Sequence, residues 1–338
     1  MQNILDEFAK SIDPRTSVFD VKIDSETDST VALSGRVLDF AQLDQLQRRV
    51  STELNASFPS RKLDTASIRI LNAGTHAPAR VHVATNLTGV YEKPTFGMPL
   101  SSELCYGTML EVLDENGNWV FTRQPDGYLG WAYRPYLNEG NSSGAASHFV
   151  LAPAIELREE SNGSSRVVTR LVSGTVVSLV EERGDWSLVN ANKTGWLPSA
   201  SLRDMADIPT SIEEKRELIV ADAQRMTGIP YLWGGMSGNG IDCSGLARLL
   251  HRWIGVSIPR DADMQHKAAF PVEPPYEVGD LFFFAEDDSK RNISHVGISL
   301  GGWEMIHSSR SRNGVYVDNI QEAKYLKDIF VSAGSFLR

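Results

Sequence analysis

Cys243 is the side chain best placed to do chemistry, one of only two cysteines in the sequence. It lies in residues 231–245, YLWGGMSGNGIDCSG, with Gly234, Gly235, Gly238 and Gly240 before it. Leu246, Leu249, Leu250 and Trp253 follow at helical spacing. The pattern predicts a helix that begins at Cys243, with Asp242 as N-cap and Gly255 as its stop. Unpaired amides and the dipole at a helix start favour negative charge. They are expected to lower the Cys243 pKa towards the physiological range and can receive the oxyanion of a tetrahedral intermediate. The Asp242 carboxylate would oppose a thiolate if it faced the sulfur. It is therefore expected to turn aside, into the cap or towards a cationic group of a substrate. Cys105 reads as a small buried hydrophobe.

A thiol needs a base. In Ile293-Ser294-His295-Val296-Gly297-Ile298, strand alternation points Val296, Ile298 and Leu300 into a core. His295 then lies on the open face, with Gly297 leaving room beside it. His307, in Met305-Ile306-His307-Ser308, falls on the next strand if the chain turns at Gly301-Gly302. A second imidazole there can bond His295 and fix its tautomer. His251 and His266 fall in helical or loop contexts, and His76, His82 and His148 lie outside this region. Cys243, His295 and His307 could also be read as a zinc set. Their wide spacing and the loop around Cys243 favour nucleophilic attack instead. No metal and no cofactor is expected.

Three kinds of element build the chain around these residues. Residues 1–75 alternate apolar and polar positions at 18–23 and 31–37, then carry Leu43, Leu46, Val50 and Leu54 at helical spacing, with another strand at 67–71. This predicts a small ββαβ N-terminal domain, BON-like in pattern. Gly107-Thr108 recurs as Gly174-Thr175, Gly117-Asn118-Trp119 as Gly184-Asp185-Trp186, and Gly130-Trp131 as Gly195-Trp196. Such self-similarity marks a duplicated module. Each copy reads as short strands split by Gly-rich turns, a small β-barrel. The two copies are expected at 76–140 and 146–204, joined by a Ser-, Gly- and Asn-rich linker at 138–147. Residues 205–338 open with the capping box Ser211-Ile212-Glu213-Glu214 and continue through helices into strands, an α+β domain. The chain thus reads as multidomain α+β. Its net charge of −10, with no basic cluster, argues against a nucleic-acid partner. No stretch approaches the ~20 apolar residues of a membrane span, and the start MQNILDEFAKSIDPR lacks the features of a leader peptide. The expectation is a cytoplasmic monomer with no membrane partner.

Asp242-Cys243-Ser244-Gly245, Ile258-Pro259-Arg260-Asp261, Val278-Gly279-Asp280-Leu281, Ser294-His295-Val296-Gly297-Ile298 and Ile306-His307 together resemble the NlpC/P60 cysteine peptidase family over residues 210–338. The resemblance implies a papain-like core, with Cys243 as nucleophile, His295 as general base and His307 as the residue that orients it. Tyr231, in Pro230-Tyr231-Leu232-Trp233-Gly234-Gly235, matches the family tyrosine beside the oxyanion hole. Trp233 reads either as a substrate-facing residue or as core packing. The glycine before a tryptophan in each repeat resembles bacterial SH3 (SH3b) domains.

SH3b domains ahead of such a peptidase resemble the YkfC-type γ-D-glutamyl-L-diamino acid endopeptidases. The resemblance implies cleavage of free murein peptides, L-Ala-γ-D-Glu-diaminopimelate or -L-Lys, to release L-Ala-γ-D-Glu. It also implies that Tyr128 and an acidic residue of the first SH3b domain hold the alanine ammonium, together with Asp242 and Ser244. Glu92, in Val90-Tyr91-Glu92-Lys93-Pro94, is the expected acid, and Arg260 and Asp261 are expected to meet the far part of the substrate. A buried ammonium needs carboxylate partners, so a walled acidic end would reject acylated peptides. Two other readings stand beside this one. One is a secreted endopeptidase acting on intact peptidoglycan, anchored by its SH3b domains; the other is an inactive murein-binding protein.

Overall fold

The computed structural model of the chain describes residues 1–72, 79–140, 146–287 and 289–338. The expected boundary at 75/76 and the centre of the 138–147 linker lie outside the described residues. The chain folds into two compact units, Met1–Val81 with Met109–Arg134, and His82–Thr108 with Pro135–Arg338.

In the first unit, Thr30–Asp39 is the centre of a three-stranded sheet, antiparallel to Phe19–Glu26 and parallel to Lys62–Asn72. A parallel pair needs a crossover, and the helix Phe40–Ser57 supplies it. Asp39 caps that helix by accepting from the Gln42 amide at 2.9 Å. Leu46, Val50 and Leu54, four residues apart, bury against Val31, Leu33 and Val37. The expected ββαβ order is therefore present. A helix at Gln2–Lys10 precedes it, burying only Leu5 and Phe8, too few positions to show a period. The same unit contains the antiparallel meander Met109–Asn116, Trp119–Arg123 and Leu129–Tyr133. Leu38, Leu113 and Leu129 form a small core between sheet and meander, and Asp114 pairs with Arg36 at 3.1 Å and Arg69 at 2.9 Å.

The second unit holds the hairpin Leu87–Tyr91 and Leu100–Cys105, a seven-stranded β-sheet drawn from residues 148–204, and the α+β region. The duplication is visible in the turns: Gly107 and Gly174 have φ of 79° and 84°, values that glycine adopts without strain. In the α+β region the strands run, side by side and all antiparallel, in the order Phe270–Val272, Phe330–Ser335, Leu281–Ala285, Ile293–Gly301, Glu304–Ser309 and Gly314–Asn319. Leu281–Ala285, LFFFA, is apolar throughout because both faces are covered. Leu281 and Phe283 pack with the helix Cys243–Trp253, while Phe282 and Phe284 pack with Tyr276, Trp303 and Phe330. The capping box forms as read: Ser211 Oγ accepts from the Glu214 amide at 3.2 Å and donates to its carboxylate at 2.8 Å. Cys105 is buried and free, its thiol pushed up to about 11 by burial.

Candidate active site

The helix Cys243–Trp253 starts where the sequence places it. Asp242 is its N-cap, and Asp242 Oδ1 accepts from the Gly245 amide at 2.6 Å. The glycine loop before it folds tightly around this cap. Gly234 donates its amide to Asp242 Oδ2 at 2.9 Å, and the Asp242 amide donates to Gly235 O at 3.2 Å. A Cβ on Gly245 would lie 2.3 Å from Gly235 O, so only glycine permits this approach.

Both histidine-bearing strands are fastened to the helix start. The Val296 backbone amide donates to the Cys243 sulfur. Ser308 Oγ donates to Ile241 O at 2.6 Å. These bonds bring the strands Ile293–Gly301 and Glu304–Ser309 against the Cys243 end of the helix. His295 Nε2 lies 2.6 Å from His307 Nδ1, with the rings at 71°. Gly297 makes this possible: a Cβ there would lie 2.4 Å from Met305 Sδ and 3.3 Å from His307 Cβ. His307 is 1% exposed and its Nε2 lies 2.9 Å from Asp318 Oδ2.

The electrostatics correct one expectation. The Cys243 thiol is pushed up to about 12, by burial first and then by the Asp242 charge. Helix-start amides and Arg260 act in the other direction and are outweighed. Burial and then His307 push the His295 imidazole down to about 3. Both shifts favour the neutral forms, a thiol and an imidazole, so a thiolate needs a base to take its proton. Burial in a low-dielectric core, which local sequence does not reveal, overrides the dipole.

Asp242 does turn aside, but into the protein. Arg260, 1% exposed, donates to it twice, from Nη1 at 3.1 Å and Nη2 at 2.7 Å. Arg260 also donates to Ser244 Oγ at 2.9 Å and Ser102 Oγ at 3.2 Å, and Ser244 Oγ lies 3.2 Å from Asp242 Oδ1. Arg260, Ser244 and Asp242, all three expected at the substrate, thus bond to one another. Asp261, the N-cap position of the helix Ala262–Ala268, lies 3.9 Å from Arg260.

Tyr231 forms a single parallel bridge with Ile241 and sits close enough to Cys243 and Asp242 for their charges to reinforce the effect of burial, raising its phenol pKa. It stays a hydroxyl donor. Trp233 is 59% exposed, so it is not core packing. Glu92 is exposed in the loop of the hairpin Leu87–Cys105. Tyr128 is buried in the first unit, on the tight turn that precedes Leu129–Tyr133; its amide donates to Asp126 Oδ1 at 3.1 Å. Sequence reading missed Glu103, at the other end of the hairpin from Glu92. Its Oε2 accepts from the Met236 amide at 2.9 Å and Ser237 Oγ at 3.0 Å. Burial, with the Asp242 charge adding to it, pushes its carboxyl up. No motif marks Glu103, because its importance comes from contacts made over 130 residues away in sequence.

A cysteine at a helix start, packed across a strand whose imidazole is bonded to a second one, is the arrangement of a papain-like cysteine peptidase site. Residues 228–334 match the NlpC/P60 family, 153–203 the bacterial SH3 domain and 90–132 the bacterial dipeptidyl-peptidase SH3 domain. The chain thus carries an NlpC/P60 domain preceded by two bacterial SH3 domains. It is 28% identical to a gamma-D-glutamyl-L-lysine dipeptidyl-peptidase of Bacillus subtilis over 240 residues, 68% of this chain and 79% of that one. It is also 28% identical to dipeptidyl-peptidase 6 of Lysinibacillus sphaericus, over 71% of this chain and 91% of that one. A crystal structure of an NlpC/P60 family protein from Bacillus cereus shares the fold, with a TM-score of 0.67 at 22% identity, covering 77% of this chain and all of that one.

Proposed function

We propose that the protein hydrolyses the bond between γ-D-glutamate and the diamino acid of free murein peptides that begin with an unblocked L-alanine, releasing L-Ala-γ-D-Glu in cell-wall peptide recycling. The single observation that supports this reading best is the Cys243 site, with the His295–His307 hydrogen bond of 2.6 Å beside it. The names of the relatives supply the bond and the dipeptide product.

Cys243 gives its proton to His295 as its sulfur attacks the γ-carbonyl carbon. The helix-start amides receive the oxyanion, with the Tyr231 hydroxyl beside them. The C–N bond breaks as the His295 imidazolium protonates the leaving amine of the diamino acid. Water, deprotonated by His295, then hydrolyses the thioester and restores the thiol. His307 holds the His295 ring throughout.

The free amino end requires negative charge that the protein has not already neutralised. Asp242 is matched by Arg260. Glu103 keeps Oε1 without a partner among the described residues and lies near the same loop, so we assign it the alanine ammonium, with exposed Glu92 on the same hairpin. The test compares L-Ala-γ-D-Glu-L-Lys with its N-acetylated form. Strong preference for the free amine supports the reading. Equal rates overturn the ammonium site, and unchanged hydrolysis by Cys243→Ala overturns the peptidase assignment.

A further inference from the structure

We propose that Asp318 is a positioning residue which, through His307, sets the tautomer of His295 and so decides which of its nitrogens is the base. The proposal deepens the peptidase reading and rests on it for the identity of the base.

Asp318 is on Gly314–Asn319, the strand next to that of His307. His307 stands opposite Tyr316, and Asp318 lies two residues along on the same face, the diagonal position that long side chains span. Its Oδ2 is 2.9 Å from His307 Nε2, and its Oδ1 takes Arg312 Nη1 at 2.7 Å. Tyr325 donates to Oδ2 at 3.4 Å, and the Arg312 guanidinium lies over the Tyr316 ring at 4.8 Å. The hydrogen bond from His307 and the Arg312 charge hold the Asp318 carboxyl below its ordinary range, so it is ionised and can only accept.

An acceptor-only partner requires His307 to carry its proton on Nε2. In the neutral ring Nδ1 is then a lone pair. At 2.6 Å from His295 Nε2, that lone pair requires His295 to carry its proton on Nε2. The one nitrogen left unprotonated on His295 is Nδ1. Three side chains in series therefore leave a single atom for proton abstraction from Cys243. The anion also stabilises the imidazolium that forms when that proton arrives. No sequence motif carries Asp318: it follows His307 by eleven positions and meets it only through the strand register.

The test is Asp318→Asn, nearly the same shape but able to donate. An amide turned towards His307 Nε2 moves its proton to Nδ1, reverses the His295 tautomer and removes the base. Where a serine peptidase suffers the equivalent change, kcat falls about 10⁴-fold. The expected result here is a kcat loss of roughly 10²–10⁴-fold with KM little changed, and partial return of activity in Asp318→Glu. Nitrogen-15 spectra of the free protein read the tautomers directly. His307 protonated on Nε2 in the wild type and on Nδ1 in Asp318→Asn supports the proposal. A wild-type His307 protonated on Nδ1, or an Asp318→Asn variant with wild-type kcat, overturns it. The spectra need no turnover, so a protein that hydrolyses no murein peptide would sink the peptidase reading while leaving the tautomer assignment to be judged by itself.

Discussion

Arg260→Met separates a structural counter-ion from a substrate contact. Arg260 is 1% exposed and makes two charge-assisted hydrogen bonds, 2.7 and 3.1 Å, to a carboxylate that is itself buried. Removing one partner of such a pair leaves the other as an uncompensated buried charge, which costs about 3–5 kcal/mol. The stranded anion is Asp242, the cap of the helix Cys243–Trp253. For a unit of 150–250 residues a loss of 1 kcal/mol lowers Tm by about 2–4 °C, so the melting transition should fall by roughly 6–20 °C. Thermal denaturation followed by circular dichroism measures it. The double variant Asp242→Asn/Arg260→Met removes both charges and should recover much of the loss, since Asn also caps helices. Below the new transition, KM should stay near the wild-type value. A single variant with wild-type Tm and a KM raised by tenfold or more would refute the reasoning and return Arg260 to the substrate.

Three further expectations follow from the same geometry. Because the Cys243 thiol stands near 12 and His295 near 3, iodoacetamide should inactivate the free protein at a rate that still climbs tenfold per unit through pH 8; a plateau from mildly acidic pH would reveal a preformed thiolate–imidazolium pair. Folding stability, read from urea midpoints, should decline on acidification. Buried His295 and His251 have folded pKa values of about 3 and about 4, below the roughly 6.5 of an unfolded histidine. Their neutral forms stabilise the fold above that value, and the contribution is lost as pH falls towards 4–3; a midpoint constant from pH 7 to 5 would contradict this. Glu103→Gln should raise KM for a free-amine peptide by roughly 10–100-fold, the worth of a hydrogen bond to a charged group, and change the N-acetylated peptide little. The same change at Glu92 is the comparison, and a rise confined to Glu92 would move the ammonium to the hairpin loop.

Much of this chain is legible in its sequence because its signals are local. Helical spacing after Cys243, the Asp242 cap and the alternation around His295 each involve neighbours within a few positions, and each fixes which way a side chain points. The glycine-turn repeat is visible for the same reason: a left-handed turn restricts residue choice at one site. The helices Gln2–Lys10, Ala262–Ala268 and Lys324–Ile329 were not legible, since each buries only one or two residues. What tertiary structure alone decided is the state of charge. The Asp242–Arg260 pair, the Glu103 contacts and the His307–Asp318 bond join residues that are 11 to 134 positions apart. Those partners and the burial around them, rather than the residue types, push the Cys243 thiol up and the His295 imidazole down. Local pattern can place a nucleophile and a base, but their proton affinities depend on the dielectric and the charges that folding assembles around them.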